Sequence, residues 1–316
     1  MNAPSTQPVD RFTRALSGID RLALAVSGGP DSLALLLLAA EALPNHIAVA
    51  TVDHGLRPEA AHEAAYVSAI CEARGIPHDT LRVSVETNGE GTQAAARTTR
   101  YDALARWCAD RGFAHLATAH HADDQAETLL MRLGRGAGLP GLTGIRSSRP
   151  LTDSVTLIRP LLGHSRAELR AIVDTAGIAP VDDPSNRDPH YDRTRARALL
   201  SNGYPDAHRL AQSASHLAQA EEALAWAAAQ EWSRRAAQDG SGVSLDPAGL
   251  PDELRRRLVL FAFETLGASA PRGPDLARLI ATLAADKIAT LGGIRAEGGP
   301  LWRFRLAPPH RSGRSS

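Results

Sequence analysis

A chain of 316 residues is too long for one ordinary core and divides naturally into one large and one small domain. Lys plus Arg and Asp plus Glu both number 35, so no global charge announces a nucleic-acid or membrane partner; locally, residues 1–92 hold 11 acids against 6 arginines and residues 128–170 hold 7 arginines against 2 acids. Lys287 is the only lysine, which excludes a Walker-type loop near residue 30, and Cys71 and Cys108 lie too far apart for a disulfide framework or a Cys-x-x-Cys site.

The N-terminus M-N-A-P-S-T-Q-P-V-D-R has no apolar core for a signal peptide, and the run Leu33–Ala40 is too short to span a membrane, which predicts a cytoplasmic protein without a membrane partner. Strand-like and helical runs then alternate: a strand at 22–26, a helix from 32 to 43, a strand at 47–52, a helix at 59–74, a strand at 80–85, a helix at 92–111, a strand at 115–119 and a helix at 123–133. This rhythm predicts an α/β fold with a doubly wound parallel sheet, whose site forms from loops at the carboxyl ends of the strands. Three segments break the rhythm: 135–144, R-P-L-L at 159–162, and the polar, proline-punctuated stretch 181–197, which reads as a long functional or mobile loop. Beyond it come an alanine-rich helical stretch at 206–238, helices at 251–266 and 273–286, and a strand at 301–306, followed by a basic end. The expected division is 1–205 for the nucleotide-binding domain and 206–316 for a smaller, mainly helical or α+β domain.

The first strand runs into Ser27-Gly28-Gly29-Pro30-Asp31-Ser32. A glycine pair there lets backbone N–H groups approach a phosphate, Pro30 suits the first turn of a helix, and the helix adds unpaired amides. Asp31 would repel a polyphosphate unless a divalent cation neutralised both, and Mg²⁺ prefers one or two carboxylates plus phosphate oxygens. The alternative is that Asp31 merely caps the helix.

This loop resembles the pyrophosphate loop of the N-type ATP pyrophosphatases, which cleave ATP between the α and β phosphates and adenylate their substrate. Within that superfamily V-D-H-G-L-R-P-E (52–59), A-R-T-T-R-Y (96–101), H-H-A-D-D-Q-A-E-T (120–128), R-G-A-G-L-P-G-L-T-G (135–144) and D-P-S-N (183–186) with Tyr191 and Arg193 resemble the tRNA(Ile)-lysidine synthetase family, over roughly residues 20–200. The resemblance implies that the Ser27–Ser32 loop holds the leaving pyrophosphate and that Asp31 holds the metal.

Each motif also has its own reading. Asp53 and His54 end the second strand where adenosine would lie, or they form a polar turn before Gly55. His120 to Glu127 gather imidazoles and carboxylates at the sheet's edge, of which His121, Asp124 and Glu127 are the favoured catalytic groups and Asp123 the favoured helix cap. Arg97 and Arg100 share a helix face, Arg97 toward catalysis and Arg100 toward RNA; with Arg135 and the alternating Arg193, Arg195 and Arg197 they make a set for phosphates of an RNA. The family pattern Arg-Asn-x-x-Arg has Thr194 in place of its asparagine.

The reaction implied is ligation of free L-lysine to C2 of the first anticodon cytidine of the isoleucine tRNA with a CAU anticodon. It uses ATP and Mg²⁺ and passes through an adenylated base. The chain looks like the short form of the family, with a homodimer among the partners considered. The rivals are another adenylating member of the superfamily and a non-catalytic RNA-binding protein with a vestigial nucleotide fold.

Overall fold

The computed structural model describes residues 7–53, 55, 59–84, 92–181 and 192–308, so His54, Asp-Pro-Ser-Asn at 183–186 and Tyr191 lie outside the described residues. Compact units divide at Ala218/Gln219, inside a long helix, whereas the sequence places the boundary near 205.

The first unit begins with helix α1 (Pro8–Ala15) and continues β1 (Leu22–Ala25), α2 (Pro30–Ala42), β2 (Ile47–Asp53), α3 (Glu59–Glu72), β3 (His78–Arg82), α4 (Thr92–Asp110), β4 (His115–Ala117) and α5 (Ala122–Gly134). A one-turn helix α6 (Leu139–Leu142), strands β5 (Ser148–Pro150) and β6 (Thr156–Ile158), helix α7 (Arg166–Thr175) and helix α8 (Asp192–Ser201) follow. The strand order is β3-β2-β1-β4-β6-β5, parallel except for β5. Alternation along β1 explains why helices cover both faces. Leu22, Leu24 and Val26 pack with Leu33 and Leu36 of α2, Val67 of α3 and Leu169 of α7, while Ala23 faces Leu104, Trp107 and Cys108 of α4. Each fully buried leucine contributes about 1.5–3 kcal/mol of transfer free energy. The sequence leads from β1 to β2 on one side, and β4 is laid down on the other side, so the crevice at their carboxyl ends is a topological switch point.

The expected loop over 181–197 ends earlier than its composition suggests. Helix α8 starts at Asp192 and carries Arg193, Arg195 and Arg197, because the Arg-Ala-Arg-Ala-Leu-Leu run after the proline-rich part is good helix-forming sequence.

The second unit takes up the rest of helix α9 (Ala207–Arg235), with β7 (Ala236–Asp239), β8 (Gly242–Leu245), α10 (Asp252–Thr265), α11 (Gly273–Ala284), β9 (Ile288–Leu291), β10 (Ile294–Glu297) and β11 (Trp302–Leu306). The single strand expected at 301–306 is one of five in an antiparallel sheet ordered β7-β8-β11-β10-β9. Val243, Leu245, Ile294, Ala296, Trp302 and Phe304 point from that sheet into a core with Leu258, Phe263 and Leu279 of the helices. Both cysteines are free and buried, and no helix of the described residues is long and apolar enough to cross a membrane.

Candidate active site at the carboxyl edge of the parallel sheet

The turn after β1 is built around Gly28. Its φ of +87° is one that side chains rarely adopt, and an added Cβ would stand 3.2 Å from Val181 Cγ2. The Gly28 carbonyl accepts the Val181 N–H at 3.0 Å. Ser32 Oγ accepts from the Ser27 N–H at 3.2 Å and donates to the Gly29 carbonyl at 2.9 Å, so this hydroxyl secures the turn, while Ser27 Oγ lies 3.3 Å from it. Pro30 opens α2 as expected from its fixed φ and missing N–H.

Asp31 does not cap the helix. Gly29 holds the cap position, and no side chain accepts a capping N–H there. One carboxylate oxygen, Oδ2, lies 3.4 Å from His121 Nε2, and the other, Oδ1, is buried without a hydrogen-bond partner. A buried carboxylate oxygen with no donor, beside an amide-rich turn, fits a divalent cation that takes its other ligands from phosphate. Among the described residues no three His, Cys, Asp or Glu side chains form a ready cage.

Strand β4 is the neighbour of β1, and its exit delivers the second half of the site. His121 caps α5, its N–H donating to Asp124 Oδ2 at 3.0 Å, and its ring is only 1% exposed among Asp31, Asp123 (3.5 Å) and Asp124 (3.7 Å). Burial pulls this imidazole down, but Asp123, Asp31 and Asp124 outweigh it and raise its pKa to about 9. His120 behaves oppositely: burial, only partly offset by Asp124 and reinforced by Arg159, Arg193 and Arg97, lowers it to about 4. Asp123 caps a different helix from the one expected, accepting the Arg166 N–H at the start of α7 at 2.8 Å. Burial would raise its carboxyl, yet His121 and Arg166 bring it to about 2.

Glu127, one turn further along α5 and 1% exposed, receives three guanidinium groups: Arg166 at 3.0 Å, Arg193 at 2.7 Å and Arg197 at 2.9 Å. Arg193 also bonds Asp124. Burial pushes the Glu127 carboxyl up and Arg197, Arg193 and Arg166 bring it below its ordinary value. Arg193 and Arg197 reach the same acid because they sit four apart on α8, whereas Arg195 is exposed on another face.

The structure therefore gathers Asp31, His121, Asp124, Glu127, Arg193 and Arg197. Arg97 stands apart on α4 with its guanidinium 5.2 Å from the centroid of the Tyr101 ring. Arg100 lies exposed on the same helix, and Arg135 is exposed just after α5. Asp53 is 8% exposed and accepts the Gly55 N–H at 2.9 Å, the bond of a polar turn. The glycine-rich loop after Arg135 is tied down: Arg132 donates to the Gly141 and Gly144 carbonyls, and Gln125 donates to the Ile145 carbonyl. A Cβ on Gly144 would fall 2.2 Å from Gln125 Oε1. Arg166 escaped sequence reading, although Ser165-x-x-Glu168, a capping box in the structure, signals the helix that carries it.

Comparison with known proteins agrees with this geometry. Residues 2–203 match a family model described as PP-loop domain. The tRNA(Ile)-lysidine synthase of Novosphingobium aromaticivorans is 50% identical over 311 residues, covering 95% of this chain and 93% of that protein. Its counterpart from Zymomonas mobilis is 47% identical, covering 95% and 94%. Among solved structures, the U34-tRNA thiolase NcsA of Methanococcus maripaludis, with its 4Fe-4S cluster, shares the fold at a TM-score of 0.53 and 20% identity, covering 67% of this chain and 78% of that one.

Proposed function

Since this chain belongs to the tRNA(Ile)-lysidine synthase family of PP-loop proteins, we propose that it ligates free lysine to C2 of the first anticodon cytidine of the CAU isoleucine tRNA, at the expense of ATP. The observation that carries the reading is the meeting of Asp31, from the turn after β1, with His121, from the turn after β4, at 3.4 Å in the switch-point crevice.

The chemistry assigns a task to each part. A ring carbonyl oxygen leaves poorly as oxide; transfer of the adenylyl group to it turns it into the oxygen of a phosphate ester and releases pyrophosphate. The lysine ε-ammonium loses one proton, the resulting amine adds to C2, AMP departs with that oxygen, and the nitrogen gives up a second proton once the carbon–nitrogen bond is made. The main-chain N–H groups of Gly28, Gly29, Asp31 and Ser32 hold the pyrophosphate portion of ATP. Asp31 would hold Mg²⁺, which when bound neutralises charge on the phosphates. Asp124 and Glu127 bind cationic groups here, and the lysine ammonium would take the place of a guanidinium group of α8 at one of them. Ser27, Gly28, Gly29, Pro30 and Ser32 form the nucleotide cradle, with Asp53 on the adenosine side, where the sequence motif also assigns His54.

The second unit holds the tRNA. On β10 and β11, Arg295, Arg303 and Arg305 are exposed while their neighbours Ile294, Ala296, Trp302 and Phe304 are buried, so the arginines share the outer face of the sheet. Arg295 stands opposite Arg305 in register, and Glu297, 3.0 Å from Arg295 Nε and opposite Arg303, offsets one of the three charges, which leaves the face net positive for an anionic partner. A tRNA substrate places the enzyme in the cytoplasm.

Incubation with ATP, Mg²⁺, labelled lysine and the CAU isoleucine tRNA tests the proposal, with methionine tRNA as control. Label in the isoleucine tRNA alone is the expected result; no label in either, or equal label in both, overturns it. Sedimentation of the same sample decides whether a homodimer forms.

A further inference from the structure

A second group of arginines lines the same carboxyl edge, one strand further on. Arg159 directly follows β6, the neighbour of β4 on the side away from β1. Its side chain is 6% exposed, its Nη1 donates to the Arg146 carbonyl at 2.5 Å, and its Nε is buried without any partner. Arg149 on β5 lies 4.9 Å from the Tyr101 ring centroid, and Arg97 lies 5.2 Å from the same centroid. No carboxylate of the described residues pairs with Arg97, Arg149 or Arg159.

Three guanidinium groups around one tyrosine repel each other, and burying one with an unused N–H costs free energy that its neighbours do not return. A fold keeps such a group where an anion supplies the missing charge and acceptors. We propose that Arg97, Arg149 and Arg159, gathered on Tyr101, form a binding site for a backbone phosphate of the substrate tRNA beside the base being modified. This rests on the lysidine-forming reading above.

Position favours the RNA over the other two substrates. Neighbouring strands lie about 4.8 Å apart, so the end of β6 is about 10 Å from the phosphate turn after β1. The adenosine side of that turn is toward β2, in the opposite direction. Lysine has its own acids at Asp124 and Glu127. Guanidinium groups beside an aromatic ring, running from the buried Arg159 to the exposed Arg97, suit a phosphodiester entering from solvent.

The test is Arg149→Gln and Arg149→Lys, at a half-buried edge-strand position where folding tolerates either change, followed by tRNA binding across a salt series and KM for each substrate. Arg149→Gln should raise KM for tRNA about tenfold and reduce the slope of log Kd against log salt by about 0.7, the value for one single-strand phosphate contact. Arg149→Lys should restore most of that slope, and KM for ATP and lysine should stay within about twofold. An unchanged salt slope overturns the site, whether KM for lysine or ATP moves in its place or nothing moves. Binding needs no turnover, so this slope still decides the matter if the unaltered protein makes no lysidine, a result that would count against the ligase reading alone.

Discussion

The two units each contain a network of arginines and acids, and the two networks are built differently. In the second unit Arg257 of α10 is bound by Glu221 through both Nη atoms at 2.8 and 2.6 Å and by Glu253 through Nε at 2.7 Å, while Arg256 takes Glu253 at 2.7 Å with two nitrogens. Two guanidinium groups meet two carboxylates, and no buried side-chain atom there lacks a partner. In the first unit Glu127 takes three guanidinium groups, Arg97, Arg149 and Arg159 take no acid among the described residues, and Asp31 Oδ1, His121 Nδ1 and Arg159 Nε are buried without a hydrogen-bond partner among them. All five buried side-chain atoms of that kind among the described residues fall in the first unit, three at the carboxyl edge of the sheet and two, Arg11 Nε and His164 Nδ1, where Arg11 meets Glu168 and His164 meets Pro8. A network that only stabilises closes on itself, because each open valence inside a protein costs free energy. Open valences in one crevice mark groups that wait for substrate.

The largest effect that would sharpen this contrast is at Asp31. Asp31→Asn keeps the shape and removes the charge, and because Oδ1 has no protein partner the fold should lose little. tRNA-dependent pyrophosphate release should fall on the order of 10³-fold, comparable to removing a preorganised electrostatic group from an active site. Chelation of Mg²⁺ should abolish release in the unaltered protein. If Asp31→Asn instead lowers Tm sharply and leaves turnover intact, Asp31 belongs with the structural acids.

Next in size is Glu127→Gln, which leaves Arg166, Arg193 and Arg197 around a neutral amide. Glu127 is buried but its three guanidinium partners are 36%, 45% and 35% exposed and can recover water, so the cost should fall at or below the low end of the buried-pair range, about 2–3 kcal/mol, read as a drop in Tm. The folded-state pKa of Glu127 is depressed, so its contribution is complete above the ordinary carboxylate range and disappears as pH falls through the lower folded value. The variant should therefore lose stability less steeply in acid than the parent. An acid limb identical in both would show that Glu127 is not ionically held.

The same contrast explains what the sequence revealed. The turn from Ser27 to Ser32 was legible because its instructions are local: a buried strand, a glycine needing positive φ, a proline at a helix start. The acids from His121 to Glu127 were legible because they open a helix. Arg149 and Arg159 were not, since β5 and β6 are three residues each and the pairing of β6 with β4, which brings them to the crevice, joins segments separated by α5 and the stretch that follows it; Arg166 was not because its contact with Glu127 joins two helices distant in sequence. The sheet of the second unit was hidden for a related reason. Ala236–Asp239 continues an alanine-rich helix in composition, and four-residue strands show too little alternation to announce themselves. The compact units divide at Ala218/Gln219, inside helix α9, a stretch without a turn residue that a sequence reading could use to place a boundary.

The smallest effect lies in the closed network and sets the limit of the comparison. Arg257→Met replaces a guanidinium group, 9% exposed, with an apolar chain of similar length and leaves Glu221 and Glu253, at 21% and 39% exposed, free to hydrate. Because those acids can recover water, the cost should be about 1–2 kcal/mol, less than at Glu127. Calorimetry should register it as a modest fall in Tm, and pyrophosphate release per folded molecule should match the parent, since Arg257 is spent on its two acids and faces no open valence. A variant that folds as stably as the parent but no longer modifies tRNA would show that a fully paired network can also serve substrate, and charge balance would then cease to separate structural ion pairs from functional ones in this protein.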